Sequence, residues 1–155
     1  MMDDLTLARA IHIVSVIAWI GGVYMVTMIV LPLVHQQSSL EDKIKIFQGI
    51  EKRFGAQARF YVLAAGLSGF YMVDSLDAWD RFASIDYWWM HAMTIIWLLF
   101  SIALYILEPF VLHKWFHKRV VVAPDKSFRL VGKVHYVLLT ASIITVIGAI
   151  YGVHG

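Results

Sequence analysis

Apolar residues run through this chain in four long blocks, Leu5–Val34, Gln57–Val73, Asp86–Leu112 and Phe128–Val153, joined by short polar stretches. A helix rises about 1.5 Å per residue, so a block of this length suits a hydrocarbon layer of roughly 30 Å. The pattern predicts four membrane-crossing helices. It therefore predicts an all-α integral membrane protein, an up-down four-helix bundle forming a single domain over residues 1–155. No Ser/Gly-rich linker or low-complexity segment divides the chain.

Composition agrees with lipid as the solvent. Of the 155 residues 60% are hydrophobic, and the mean hydropathy is +0.70, well above what one soluble core needs. Asp3 and Asp4 precede the first block where a signal peptide would carry basic residues, so that block reads as a retained helix. The chain has no cysteine, which excludes disulfides, thiol catalysis, Fe–S clusters and covalent c-type haem.

Charge gives the expected orientation. Arg9 and Arg81 lie on the side of the N-terminus and the Val73–Asp86 loop, and the other eleven Lys and Arg residues lie on the opposite side. By the positive-inside rule the basic side is cytoplasmic and both termini face outward, as in a bacterial-type inner membrane. The basic clusters read as topology signals, with no nucleic-acid site. Trp79, Tyr87, Trp88 and Trp89 fall at the outer boundary and Trp115 and Phe116 at the inner one, where amphipathic rings anchor at headgroup level.

Imidazoles inside a bilayer are costly unless bonded or coordinated, so they are the first functional candidates. His12 and His91 lie near the starts of blocks one and three. Both blocks enter from the outer side, so the two rings are expected at similar depth. In an up-down bundle the first and third helices are diagonal, a separation that a porphyrin can fill with an axial nitrogen from each side. His12, Ser15, Trp19 and Gly22 recur at three- and four-residue intervals and share a face. Ser15 and Trp19 would line that face, and Gly22 would clear space for a ring or a close helix. Gly66, Gly69, Gly148 and Gly152 read as packing devices.

The other histidines divide by position. His35, His113 and His117 lie at or beyond the basic boundary and are explained by hydration. His135 enters from the basic side, where Arg59 and Glu108 also lie. These three are expected to form a paired network, to hold a haem propionate or to relay protons. The competing reading has Arg59 and Glu108 reaching separately to the surface. His154 returns to the outer face and permits a rival site in which His12, His91 and His154 hold copper or zinc.

The segment HIVSVIAWIGGVYMVTMIVLPLVH, His12 to His35, resembles the first helix of CopD/HemJ-like four-helix membrane proteins. The resemblance continues through Phe47–Val73 and YWWMHAMTIIWLLF, Tyr87–Phe100. It implies a b-type haem for which His12 is a ligand, with Trp19 and Gly22 in the same motif. HemJ-type members take part in oxidising protoporphyrinogen IX, and CopD-type members are associated with copper. Block three offers His91 where HemJ-type proteins carry a lysine, which makes a bis-His haem easier to build. The long Met/His-rich outer segments that capture Cu(I) are missing from this sequence.

The reading is a haem-b membrane protein for electron transfer or redox chemistry. His12 and His91 are the metal ligands, and Ser15, Trp19, Gly22, Arg59 and His135 complete the cofactor surroundings. Membrane lipid is the partner that composition implies. A quinone, a porphyrin or a redox protein is the expected reaction partner, and Gly-bearing and aromatic outer faces suit a homodimer. A HemJ-like protoporphyrinogen oxidase and a CopD-like copper protein are the alternatives.

Overall fold

The computed structural model describes residues 2–112, 119–120 and 122–154. His113, His117, Trp115 and Phe116 lie outside the described residues, as does the side chain of His154.

Among the described residues the chain is almost wholly helical, broken only at short turns, with no strand. Helix α1 covers Met2–Met25, passes through a π-helical turn at Val26–Val30, and continues as α2, Leu31–Gln36. Helix α3 covers Leu40–Ser75. Two 3₁₀ turns, Trp79–Ala83 and Ile85–Tyr87, lead into α4, Trp88–Ile102, which widens into a π-helical segment at Ala103–Leu112. Helix α5 covers Pro124–His154. Three stretches, Asp4–Gln36, Ile85–Glu108 and Pro124–Gly152, are long and apolar enough to cross a membrane.

The fold is thus an all-α helical bundle with membrane-spanning character. Helix α1 packs against α3 and α5, and α4 against the same two, which leaves α1 and α4 diagonal as the sequence predicts. Trp19 of α1 and Phe100 of α4 meet edge-to-face across that diagonal, with ring centroids 4.8 Å apart. Large apolar side chains such as Val14, Ile17, Phe60, Leu67, Ile95 and Ile144 face outward, the pattern of a surface solvated by lipid.

Helix α3 is much longer than the Gln57–Val73 block. Its first half is amphipathic, and Leu40, Ile44, Phe47, Ile50 and Phe54 recur at helical spacing to join an apolar core with Val30, Val34, Val120 and Phe128. Ser39 begins the helix, its Oγ accepting the Asp42 N–H at 3.3 Å, and Glu41 and Asp42 follow in the first turn. That is a side-chain cap with acidic residues at the positive end of the helix dipole. Thirty-six residues rise about 54 Å, so the first half extends beyond a layer of roughly 30 Å.

The glycines in the bundle are spaces for aromatic rings. A Cβ on Gly22 would enter the ring of Phe54, one on Gly148 the ring of Trp88, and one on Gly152 the ring of Trp89. A Cβ on Gly66 would lie 2.6 Å from the indole of Trp97, and one on Gly69 would lie 3.2 Å from the imidazole of His12. The ring that Gly22 clears space for is therefore a protein side chain, Phe54, at the α1–α3 contact. Gly21, by contrast, has nothing within 4 Å of its Cβ position among the described residues.

Both π-helical segments neighbour a proline. Pro32 follows the first closely and Pro109 lies within the second. In the first, the Leu31 N–H bonds the Val26 carbonyl, one residue beyond the α-helical partner. A proline has no N–H to give, and a shift to i→i−5 bonding is one way a helix accommodates it.

Candidate functional site

Two polar clusters occupy the bundle, one around His12 and one around Arg59. In the first, His12 projects from α1 to α3, and its Nδ1–H donates to the Ala65 carbonyl at 2.8 Å. Ser68 Oγ lies 3.3 Å from the same nitrogen, and it donates in turn to the Ala64 carbonyl at 2.6 Å. Gly69 makes the room for this approach. With Nδ1 carrying the proton, Nε2 keeps its lone pair, and no described residue bonds it. A metal-binding imidazole commonly has this form, one nitrogen fixed by a carbonyl and the other available.

Buried hydroxyls are concentrated on the inward faces of α1, α3 and α5: Ser15, Ser68, Ser142 and Thr145. Ser142 and Thr145 donate to the carbonyls one turn back, those of Leu138 and Ala141, so these hydroxyls are satisfied within their own helix. Trp19 is buried against Phe100, and its Nε1–H has no partner among the described residues; Ser101 Oγ is in the same state. Trp97 differs, because its Nε1–H donates to the Val62 carbonyl at 2.8 Å.

His91 stands near the start of α4. Its Nε2–H donates to the Ser84 carbonyl at 3.2 Å, and its ring meets Phe82 edge-on at 5.6 Å. The bond ties the start of α4 to the preceding 3₁₀ turn. Iron ligation through Nε2 would require this contact to open.

The second cluster lies toward the basic side. Arg59 Nη2 donates to Glu108 Oε1 at 2.9 Å, Arg59 Nε donates to the Leu104 carbonyl at 3.1 Å, and the Tyr105 hydroxyl donates to the Arg59 carbonyl at 2.6 Å. The side chains retain 36% and 21% of their exposure, so the pair is half-buried. Gly55 leaves space for the carboxylate, since a Cβ there would be 3.2 Å from Glu108 Oε1. Helix geometry explains the carbonyl bond. In i→i−5 register the partner of Leu104 is residue 109, a proline without an N–H, and Arg59 supplies the missing donor.

The structure brings Arg59 and Glu108 together, two of the three members of the expected network, without His135. His135 bonds within its own helix, Nδ1–H to the Val131 carbonyl at 2.9 Å. His35 does the same to the Leu31 carbonyl at 2.7 Å, and its ring meets Phe128 edge-on. Among the described residues no three His, Asp or Glu side chains converge as a metal cluster would. Sequence reasoning missed Ala65, Ser68, Phe54 and Trp97 as the partners of His12 and the glycines. The Gly66–Gly69 spacing was the available signal for a face of α3 that accepts large rings.

No family model, curated protein or solved structure matches the chain.

Proposed function

We propose that this chain is a membrane-embedded haem-b protein in which His12 supplies an axial nitrogen and whose role is one-electron transfer. The observation that carries this reading is the His12 imidazole, anchored within the bundle by Nδ1–H to the Ala65 carbonyl, with Nε2 unbonded among the described residues. The His12 nitrogen left free is the donor that a haem axial position would take, with the Trp19–Phe100 contact across the diagonal opening to admit the ring. Bound there, haem would supply a reversible one-electron couple. On this reading His91 is the second ligand, released from Ser84 and turned inward. Ser68 keeps the His12 tautomer, and Trp19 excludes water from the α1–α4 diagonal. The resemblance of the first helix to CopD/HemJ-like proteins points the same way.

The reading places the protein in a bacterial-type inner membrane with the basic side cytoplasmic and both termini outside. A quinone, a porphyrin or a redox protein would exchange electrons with it.

The test is the absorption spectrum of the detergent-purified protein, oxidised and then reduced with dithionite. We expect a Soret band and sharp reduced α and β bands, lost in His12→Ala. If His91→Ala keeps the Soret band but changes it to a five-coordinate form, His91 is confirmed as the second ligand. An unchanged spectrum in His91→Ala removes His91 from the site, and a colourless wild-type protein overturns the haem reading.

A further inference from the structure

We infer that the lipid-facing side of α5 is a binding site for an anionic phospholipid, with its headgroup on Lys126, Arg129 and Lys133 and one acyl chain along the helix beyond them. The three cations stand at i, i+3 and i+7, so they share one face of α5, and all three are exposed. Among the described residues none has an ion-pair partner, whereas neighbouring Asp125 is already paired with Lys43 at 3.6 Å.

The same face continues as a shallow apolar groove of about 510 Å³, lined by Lys133, Tyr136, Val137, Thr140, Ala141 and Ile144. Thr140 turns its hydroxyl to the Tyr136 carbonyl and so presents its methyl group outward. From Lys133 to Ile144 the helix rises about 16 Å, close to half of a hydrocarbon layer of roughly 30 Å. The groove is therefore one leaflet deep. A cationic mouth at headgroup level above an apolar channel of that depth complements a phosphodiester joined to an acyl chain. Lys and Arg at such a boundary attract anionic headgroups. A second protein chain would leave the uncompensated cations at the mouth without counter-charge, so the charge pattern favours lipid.

The test is native mass spectrometry of the full-length protein exchanged from micelles containing equal amounts of dioleoyl phosphatidylglycerol and dioleoyl phosphatidylcholine. We expect wild-type protein to retain the anionic lipid about tenfold over the zwitterionic one. The triple variant Lys126→Gln, Arg129→Gln, Lys133→Gln should lower that preference to near unity. Ala141→Phe, which fills the groove, should reduce retention of both lipids. A control that removes equal charge from α3, Lys45→Gln, Lys52→Gln, Arg53→Gln, should stay within about twofold of wild type. Equal retention of the two lipids by wild-type protein, or equal losses in the two triple variants, would overturn the site. Displacement of the lipid by millimolar glycerol phosphate would show a phosphate site without a chain channel, and would overturn it as well.

Discussion

The half of the bundle around His12 and the half nearer the basic side solve the same problem differently. Around His12, helices approach through glycine notches that receive whole aromatic rings, Gly66 with Trp97 and Gly148 with Trp88. His12 there bonds the Ala65 backbone carbonyl. Toward the basic side the helices widen into π turns at prolines, and an Arg–Glu pair fastens one of them to α3. Toward the basic side a close-packed apolar core around Val34 and Phe128 is joined by donors supplied to the widened helix, whereas around His12 the glycine notches carry the packing. The difference teaches where substitutions should act through volume and where through lost hydrogen bonds.

Volume should give the largest effect. Gly148→Leu forces a branched side chain into the position of the Trp88 ring, and we expect a loss of about 3 kcal/mol, read as a lowered unfolding midpoint in detergent. The same change at Gly21, where nothing is near, should be tolerated; equal losses at both positions would remove the contrast. Next comes Arg59→Ala, which takes a partner from Glu108 and, among the described residues, the only side-chain donor from the Leu104 carbonyl. Because the pair is half-exposed, about 2 kcal/mol is expected rather than the full cost of a buried charge. Hydrogen exchange should rise in Ala103–Leu112, and unchanged exchange there would detach Arg59 from the π segment.

Smaller effects sharpen the same contrast. His12→Ala should cost about 1 kcal/mol through loss of the Ala65 bond, together with loss of any haem spectrum. His12→Gln should recover part of the stability and none of the spectrum. Ser39→Ala should cost somewhat less than about 1 kcal/mol, since the cap bond is exposed and 3.3 Å long. Its signature is fraying at the start of α3, seen as faster amide exchange at Asp42.

Much of the fold was legible because lipid imposes a simple pattern. The first, third and fourth apolar blocks fall within the helical stretches described, and the diagonal placement of α1 and α4 follows from short connections. Helix α3 was only half visible, because mean hydropathy does not register a stretch such as Leu40–Phe54 whose apolar residues lie along one face. The π segments were not legible either. Pro32 and Pro109 mark a disturbance, but the sequence does not say whether a helix kinks or shifts register. At the site, the shared inward face of His12, Ser15 and Trp19 was readable from spacing. The Ala65 carbonyl was not, because a backbone acceptor carries no side-chain signature, and neither was the His91–Ser84 bond, which depends on the 3₁₀ turns before α4.

Gly148 and Gly152 form the small-xxx-small pattern by which separate membrane helices often dimerise. Here Trp88 and Trp89 of the same chain already fill both notches. The docking motif is spent internally, so the chain has converted a means of recruiting a partner into a means of closing itself. A second copy joining through this face would have to evict two indoles first.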